Sequence, residues 1–462
     1  MADFDLIVIG AGPGGYVAAL HAAKRGMKTA VIENREVGGT CLNRGCIPTK
    51  TLLHSSEIIR GITHGEKFGT SAENIACDIE AVFARKREVS EQLSGGIEGM
   101  FKQQGVELLR GLGMVMGLGQ VEFTSLEGEK SIVTADKIIL ATGCVPSMPP
   151  IPGLDLPGVL SSDELLEGCD HLYESLIIIG GGVIGVELGT FYADLGTKVT
   201  IIEGMDRFLP MMDRELGQNL GMILKKHGVD VLTKAMVSSV EKTDEGMKVN
   251  YDVKGEPGSV VGEAVLCAIG RRPYTEGLFA DGLSIEMNGK SIAVDENYET
   301  SIPGVYAIGD VSSKIQLAHI ASAQGINCVE KFFGDEDITD VNVVPSCIYS
   351  RPEIACVGIT QEEAKKAGIP VAVGKYVMFS NGKTVICDGD RGFLKIVADK
   401  ESHVILGAQF MCEHATDMIT EISIAVVHKL TAEQMLKVMR PHPTFEEGVK
   451  EALEDLVAKL NK

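Results

Sequence analysis

Asp5-Leu6-Ile7-Val8-Ile9-Gly10-Ala11-Gly12-Pro13-Gly14-Gly15 runs from an apolar stretch that reads as a buried strand into a cluster of glycines. A helix with small residues along one face follows, then a second strand, Thr29-Ala30-Val31-Ile32, ending at Glu33. Each part of that order has a chemical use. Gly10 permits the tight turn, Gly12 lets the backbone approach a pyrophosphate, Gly15 permits close helix packing, and Glu33 can accept hydrogen bonds from a ribose. With strand, turn, helix, strand and terminal acid all in order, the segment reads as a dinucleotide-binding βαβ unit rather than a tight loop.

The unit recurs. Leu176-Ile177-Ile178-Ile179 leads into Gly180-Gly181-Gly182-Val183-Ile184-Gly185, a helix from about Val186 to Leu195, and Lys198-Val199-Thr200-Ile201-Ile202 ending at Glu203. Gly180, Gly182 and Gly185 repeat the three glycine roles, so two bound dinucleotides are expected. At the second site Glu203 suits a free ribose 2′-hydroxyl and repels a 2′-phosphate, which favours NAD over NADP. Arg207, the basic residue close behind it, reads as a solvated loop arginine.

Just after the first unit, Gly38-Gly39-Thr40-Cys41-Leu42-Asn43-Arg44-Gly45-Cys46-Ile47-Pro48-Thr49-Lys50 sets Cys41 and Cys46 at positions i and i+5. In a regular α-helix such residues lie roughly 8–9 Å apart at Cα, beyond the ~4.4–6.8 Å of a disulfide. The backbone must bend for a bridge to close. Gly45 and Asn43 suit that bend, and Pro48 keeps Ile47 out of the α region. Beside two nucleotide units the pair points to a redox-active disulfide; the alternative is two reduced thiols buried at a helix start. Cys77, Cys144, Cys169, Cys267, Cys328, Cys347, Cys356, Cys387 and Cys412 lack the C-x-x-C spacing of a zinc or iron–sulfur site. They read as buried reduced thiols, and no metal is expected.

The 462 residues suggest about three domains, each able to bury its own core. An apolar fraction of 45% without any run approaching ~20 residues argues against membrane insertion. A net charge of −21, from 64 acids and 43 bases, disfavours nucleic acid and anionic lipid as partners. The first strand begins so near Met1 that no leader is expected, which implies the cytoplasm.

The expected fold is α/β, with two Rossmann-like dinucleotide-binding domains and a C-terminal α+β domain. Lys137-Ile138-Ile139-Leu140-Ala141-Thr142-Gly143 reads as a strand closing the first nucleotide domain, and Pro146, Pro149, Pro150 and Pro152 mark a boundary. The divisions are 1–145 for the first part of that domain, 146–271 for the second nucleotide domain, 272–341 for the returning second part, and 342–462 for the C-terminal domain. Gly304-Val305-Tyr306-Ala307-Ile308-Gly309-Asp310 is a further buried strand. Its acid, Asp310, either meets a ligand at the sheet edge or caps the following turn. Beyond about Asn342, strands are expected at Lys375 to Phe379, Gly392 to Ala398 and Val404 to Met411, followed by helices.

Arg440-Pro441-His442-Pro443-Thr444-Phe445-Glu446-Glu447 holds a histidine between two prolines. A stiff, non-helical segment suits a group that must be aimed at a reacting atom, and a nearby carboxylate would hold its proton on one nitrogen. Thr444-x-x-Glu447 also reads as a capping box for the last helix, whose Val449, Leu453, Val457 and Leu460 fall at helical spacing.

Across essentially its whole length the chain resembles the FAD-dependent pyridine-nucleotide disulfide reductases. The motifs, in order, are Gly10 to Gly15, Gly39-Thr40-Cys41 to Lys50, Ala141-Thr142-Gly143, Gly180 to Glu187, Gly270-Arg271-Arg272-Pro273, Gly309-Asp310, Leu317-Ala318-His319 and His442-Pro443-Thr444. Gly14-Gly15-Tyr16, Ile47-Pro48-Thr49-Lys50 and Glu203 with Asp206-Arg207-Phe208-Leu209-Pro210 favour the lipoamide branch. The resemblance implies FAD at the first unit, contacted by Glu33, Lys50, Gly117, Asp310 and Ala318, with Thr142 and Gly143 beside it. It implies NAD at the second, with Val237 and Gly270 lining that site, and an ion pair between Lys50 and Glu187. It implies catalysis by Cys41, Cys46, His442 and Glu447, with His442 supplied by the partner in a homodimer joined through the C-terminal dimerisation domain. The substrate would be a dihydrolipoyl group on another protein, from a 2-oxo acid dehydrogenase or a glycine-cleavage system, since no lipoyl domain precedes the first unit.

Three positions depart from the pattern: Arg440-Pro441 replaces a common His-Ala, Tyr274 a common asparagine, and Arg351 a usual histidine. Arg440 is expected to bring a cation near His442 and lower its basicity. Other readings are a reductase of another small disulfide, expected to use NADPH; a mercuric reductase, which would carry a terminal cysteine pair; and an assembly subunit with a vestigial redox centre.

Overall fold

The computed structural model describes residues 2–168, 171–336 and 338–462; Cys169 lies outside the described residues. Three sheets organise the chain. In the first, strand Phe4–Ile9 lies between Thr29–Glu33 and Lys130–Leu140, parallel to both. Glu107–Gly117 extends the sheet beside Thr29–Glu33, and Val305–Ala307 returns from far along the sequence to pair parallel with Lys130–Leu140. Leu6, Ile7 and Val8 are wholly buried, as expected of a parallel strand covered on both faces.

The second sheet is parallel throughout, in the order Asp230–Thr233, Lys198–Glu203, Ser175–Ile179, Ala264–Cys267, Val159–Ser161. An antiparallel meander, Ala235–Thr243, Gly246–Val253 and Glu256–Gly262, packs beside it. The third sheet is antiparallel: Ser346–Ile348, Ile354–Gly358, Ile405–Met411, Phe393–Asp399, Val371–Val377. One apolar cluster runs from Leu52 and Phe83 through Leu176 and Phe191 to Ile354 and Phe393, so the second and third sheets share packing.

Several local expectations need correction. The strand before Gly143 starts at Lys130 and stops at Leu140; Ala141-Thr142-Gly143 leaves the sheet, with Gly143 at φ +71° and Thr142 Oγ1 donating to Tyr274 O at 2.6 Å. Strand Val371–Val377 ends two residues early because Met378–Ser380 turns into a 3₁₀ helix. Strands Ser346–Ile348 and Ile354–Gly358 were hidden by the prolines that flank them, Pro345 and Pro352.

Ile47 is helical, inside Cys46–Thr63. Pro48 falls in that helix's first turn, where backbone N–H groups have no intrahelical partner, so its missing donor costs nothing there. Asn43 also stays helical, in Gly39–Arg44, its amide donating to Val37 O at 3.1 Å and Gly39 O at 3.0 Å. The bend between the cysteines therefore falls on Gly45 alone, where an added Cβ would sit 2.9 Å from Thr40 O.

Among the described residues no helix is long and apolar enough to cross a membrane.

Candidate active site

The two glycine turns are built alike and open on one cavity. Gly10 N–H donates to Ile32 O and Gly180 N–H to Ile202 O, each at 2.8 Å. An added Cβ on Gly15 would lie 1.9 Å from Gly10 O, and one on Gly185 2.0 Å from Gly180 O. These glycines serve helix packing and do not line the cavity. Glu33 accepts N–H groups of Ala11 and Arg35 at 2.7 and 2.8 Å. Glu203 accepts those of Gly181 and Met205, both at 2.7 Å. Helices Pro13–Lys24 and Val183–Asp194 start at Gly12 and Gly182 with no side-chain cap, leaving free N–H groups and positive dipole ends for phosphate. The cavity, about 1700 Å³, exceeds the roughly 300–1,000 Å³ usual for one small-molecule site. The residues fit two dinucleotides.

The cysteines sit on the wall between the two turns. They are free thiols, so the structure shows the dithiol form of the pair. Cys46 is the first residue of its helix, where the dipole favours a thiolate. A hydrogen bond from Cys41, helped by the Lys50 cation, holds the Cys46 thiol down at about 7 against the opposing effects of burial and the Glu187 carboxylate. The same hydrogen bond, with burial, pushes Cys41 up. The asymmetry gives one protonated sulfur and one ready thiolate.

Lys50 Nζ donates to Glu187 Oε2 at 2.8 Å and lies over the Tyr349 ring, 4.6 Å from its centroid. Glu187 is buried and its other oxygen accepts Tyr349 N–H at 3.0 Å. The lysine is therefore fixed beside the thiols rather than free to wander.

Asp310 faces the cavity without capping the turn. Cys144 Sγ donates to its Oδ2 at 2.8 Å, and Arg271 Nε donates to Cys144 Sγ at 3.1 Å. Burial pushes Cys144 up to about 12, so it remains a thiol donor, and burial also raises Asp310. Arg271 continues the chain to Asp163 at 2.8 Å. From sequence Cys144 is expected only to be a buried reduced thiol, and Arg271 stands only as part of the motif Gly270-Arg271-Arg272-Pro273; neither is given a role at the site there.

Thr142, Gly143, Ala318, Val237 and Gly270 all line the cavity. Gly117 does not: the same strand presents Gly111, Leu112 and Gly113 there, and Gly117 pairs with Gln120 at its far end. His442 and Glu447 are also absent from this chain's cavity wall. His442 is 79% exposed, with Nδ1 2.8 Å from Glu447 Oε1.

Arg207 is not solvated. It is 15% exposed and donates to Asp206 Oδ1 and Pro210 O, at 3.0 and 3.1 Å. Arg440's side chain is buried, with Nη2 paired to Glu421, Nη1 donating to Val438 O at 3.2 Å and Nε without a partner among the described residues. Its charge is matched by the Glu421 carboxylate rather than left free beside His442. Cys77, Cys347, Cys356 and Cys387 are partly exposed rather than buried, and Cys347 lines the cavity. Cys144, Cys267, Cys328 and Cys412 are buried free thiols.

Residues 4–325 match the family described as pyridine nucleotide-disulphide oxidoreductase, and residues 344–453 match its dimerisation domain. The chain is 38% identical to a dihydrolipoyl dehydrogenase of Bacillus subtilis, covering 97% of each, and 37% identical to one of Geobacillus stearothermophilus, covering 98% of the chain and 96% of the relative. Among solved structures, LpdA of Mycobacterium tuberculosis shares 27% identity at TM-score 0.89, covering 97% of this chain and 99% of that one. The HOCl-induced flavoprotein disulfide reductase RclA of Escherichia coli shares 28% at TM-score 0.86, covering 98% and 99%. With two helix-borne dinucleotide turns meeting at a paired dithiol, the chain belongs to the pyridine nucleotide-disulphide oxidoreductase family.

Proposed function

We propose that the chain is a dihydrolipoyl dehydrogenase, oxidising a dihydrolipoyl group on a carrier protein and reducing NAD+. The observation that carries this is the unequal thiol pair, Cys46 lowered to about 7 and Cys41 raised, in the same cavity as both nucleotide turns. Its near-full-length likeness to dihydrolipoyl dehydrogenases supports the substrate. The division at 145, 271 and 341 is part of the same reading, with FAD held by the first nucleotide domain and NAD by the second.

In the oxidised enzyme Cys41 and Cys46 form a disulfide. His442 of the partner subunit removes a proton from one substrate thiol, and the thiolate attacks Cys41 Sγ. The S–S bond breaks and Cys46 leaves as a thiolate, a good leaving group because its pKa is low. The substrate's second thiol then attacks the mixed disulfide, closing oxidised lipoamide and releasing Cys41. Two thiols and one disulfide enter, and one disulfide and two thiols leave. FAD and NAD+ supply the two-electron acceptors that return the pair to the disulfide.

Glu447 keeps the histidine's proton on Nδ1 so that Nε2 can act as base. Lys50, held by Glu187, keeps a positive charge beside Cys46 as its negative charge appears. Glu203 recognises the ribose of NAD+. Steady-state assays with dihydrolipoamide should show NADH formation and strong preference for NAD+ over NADP+. No turnover with dihydrolipoamide, alongside NAD(P)H consumption with another small disulfide, would replace this substrate assignment.

A further inference from the structure

The wall of the second nucleotide site is held from behind by the C-terminal sheet. Residues 204–212 follow Glu203 and give Met205, Pro210, Met211 and Met212 to the cavity. The segment is not self-supporting: Leu209 sits at φ +49°, a left-handed conformation that a leucine adopts only where its surroundings impose it. It is pinned at its start by Met205 N–H to Glu203 and in its middle by Leu209 N–H to Gly181 O at 3.0 Å. At its end Asp213 caps the Arg214–Lys226 helix, Oδ1 accepting Glu215 N–H at 2.9 Å.

That last pin reaches across to another sheet. Lys395 Nζ, on strand Phe393–Asp399, lies 3.0 Å from both carboxylate oxygens of Asp213 and 3.0 Å from Glu215 Oε2. Lys395 and Asp213 are 6% and 9% exposed. A buried ion pair is a weak source of net stability compared with apolar packing, and its best-attested use is to fix one arrangement among several.

Strand alternation shows what is being fixed. Phe393 and Lys395 face the second nucleotide sheet, Phe393 packing in the cluster that holds Leu216 and Leu220. Leu394 and Ile396 face the other way, against Val449, Leu453 and Leu456 of the last helix. That helix begins at Glu447, the residue that orients His442.

We propose that Lys395 is a positioning residue for the pyridine-nucleotide site, locking the 204–213 segment to the strand that also carries the His442–Glu447 helix. One strand then sets both the nucleotide wall and the acid–base pair. This rests on reading the second glycine turn as the NAD site.

The test is NAD+ binding to the holoenzyme by titration calorimetry, with KM and kcat for NAD+. Lys395→Met should raise Kd and KM about tenfold, the worth of one lost contact, with kcat within about twofold. Lys395→Arg should largely restore both. Because removing one partner of a buried pair can prevent folding, Asp213→Asn provides a second variant that keeps the helix cap. It should move Kd the same way. Unchanged Kd in folded Lys395→Met or Asp213→Asn, with only a lower melting temperature, would overturn the proposal while leaving the NAD reading intact. A wild-type holoenzyme that bound no NAD+ would overturn both.

Discussion

His442 Nδ1 and Glu447 Oε1 lie 2.8 Å apart, while the second oxygen of the same carboxylate accepts Thr444 N–H at 3.0 Å. The two sequence readings of Glu447 are thus both partly realised. It is the partner of the imidazole, and its bond to Thr444 N–H is the one contact of the expected capping box that forms, although the helix itself starts at Glu447 with Glu446 as its cap position. Thr444 completes no box: its hydroxyl donates to Pro441 O, and the helix starts with no side-chain cap. The His442 contact and the Thr444 N–H hold the Glu447 carboxyl below its usual range.

His442→Gln should slow dihydrolipoamide oxidation by roughly 10²–10⁴-fold, the usual worth of a positioned general base. Glu447→Gln should cause a smaller loss, since an amide still orients the ring but no longer favours its charged form. A dimer combining one Cys41→Ser chain with one His442→Gln chain should regain one working site. No recovery in a verified heterodimer would show that the histidine does not act across the interface.

Alkylation of the reduced enzyme by iodoacetamide should rise with pH around a midpoint near 7 and label Cys46 first. Lys50→Gln removes a cation that stabilises the thiolate, so the midpoint should move up. Glu187→Gln removes an anion that opposes it, so the midpoint should move down. Peptide mapping across a pH series reads both shifts, and opposite signs would contradict the electrostatics.

Much of this site was legible in sequence because it is local. Gly10 and Glu33, like Gly180 and Glu203, are joined by a single βαβ unit, so spacing alone sets their geometry. Cys144 was opaque because its partners, Asp310 and Arg271, stand 166 and 127 residues away. Gly117 was misplaced because the choice between it and Gly111 or Gly113 depends on which end of an antiparallel strand meets the cavity. That is a matter of register, which no glycine announces. Ile47 was misread because the bias of a following proline is weaker than the pull of a helix start.

At the second nucleotide site, Glu203→Ala with Met205→Arg should raise kcat/KM for NADP+ relative to NAD+, because it exchanges a repelling charge for an attracting one. Arg207 cannot make that exchange alone while Asp206 and Pro210 hold it. A wild-type preference for NADP+ would contradict this assignment.

Cys144→Ala should lower stability by about 1–3 kcal/mol, since it strips a donor from partly buried Asp310 and an acceptor from Arg271. Cys144→Ser, which keeps both functions, should lose less. Denaturant melts of the three proteins decide this, and equal midpoints would show the network contributes nothing.

The most direct test of the central claim is a single turnover of the oxidised enzyme with one equivalent of dihydrolipoamide, without NAD+, quenched into an alkylating reagent. The account predicts up to one equivalent of lipoamide per chain and new label on Cys41 and Cys46 together, both lost in Cys41→Ser. Lipoamide formed with label on other cysteines, or no lipoamide from a protein whose Cys41–Cys46 disulfide is intact, would contradict it.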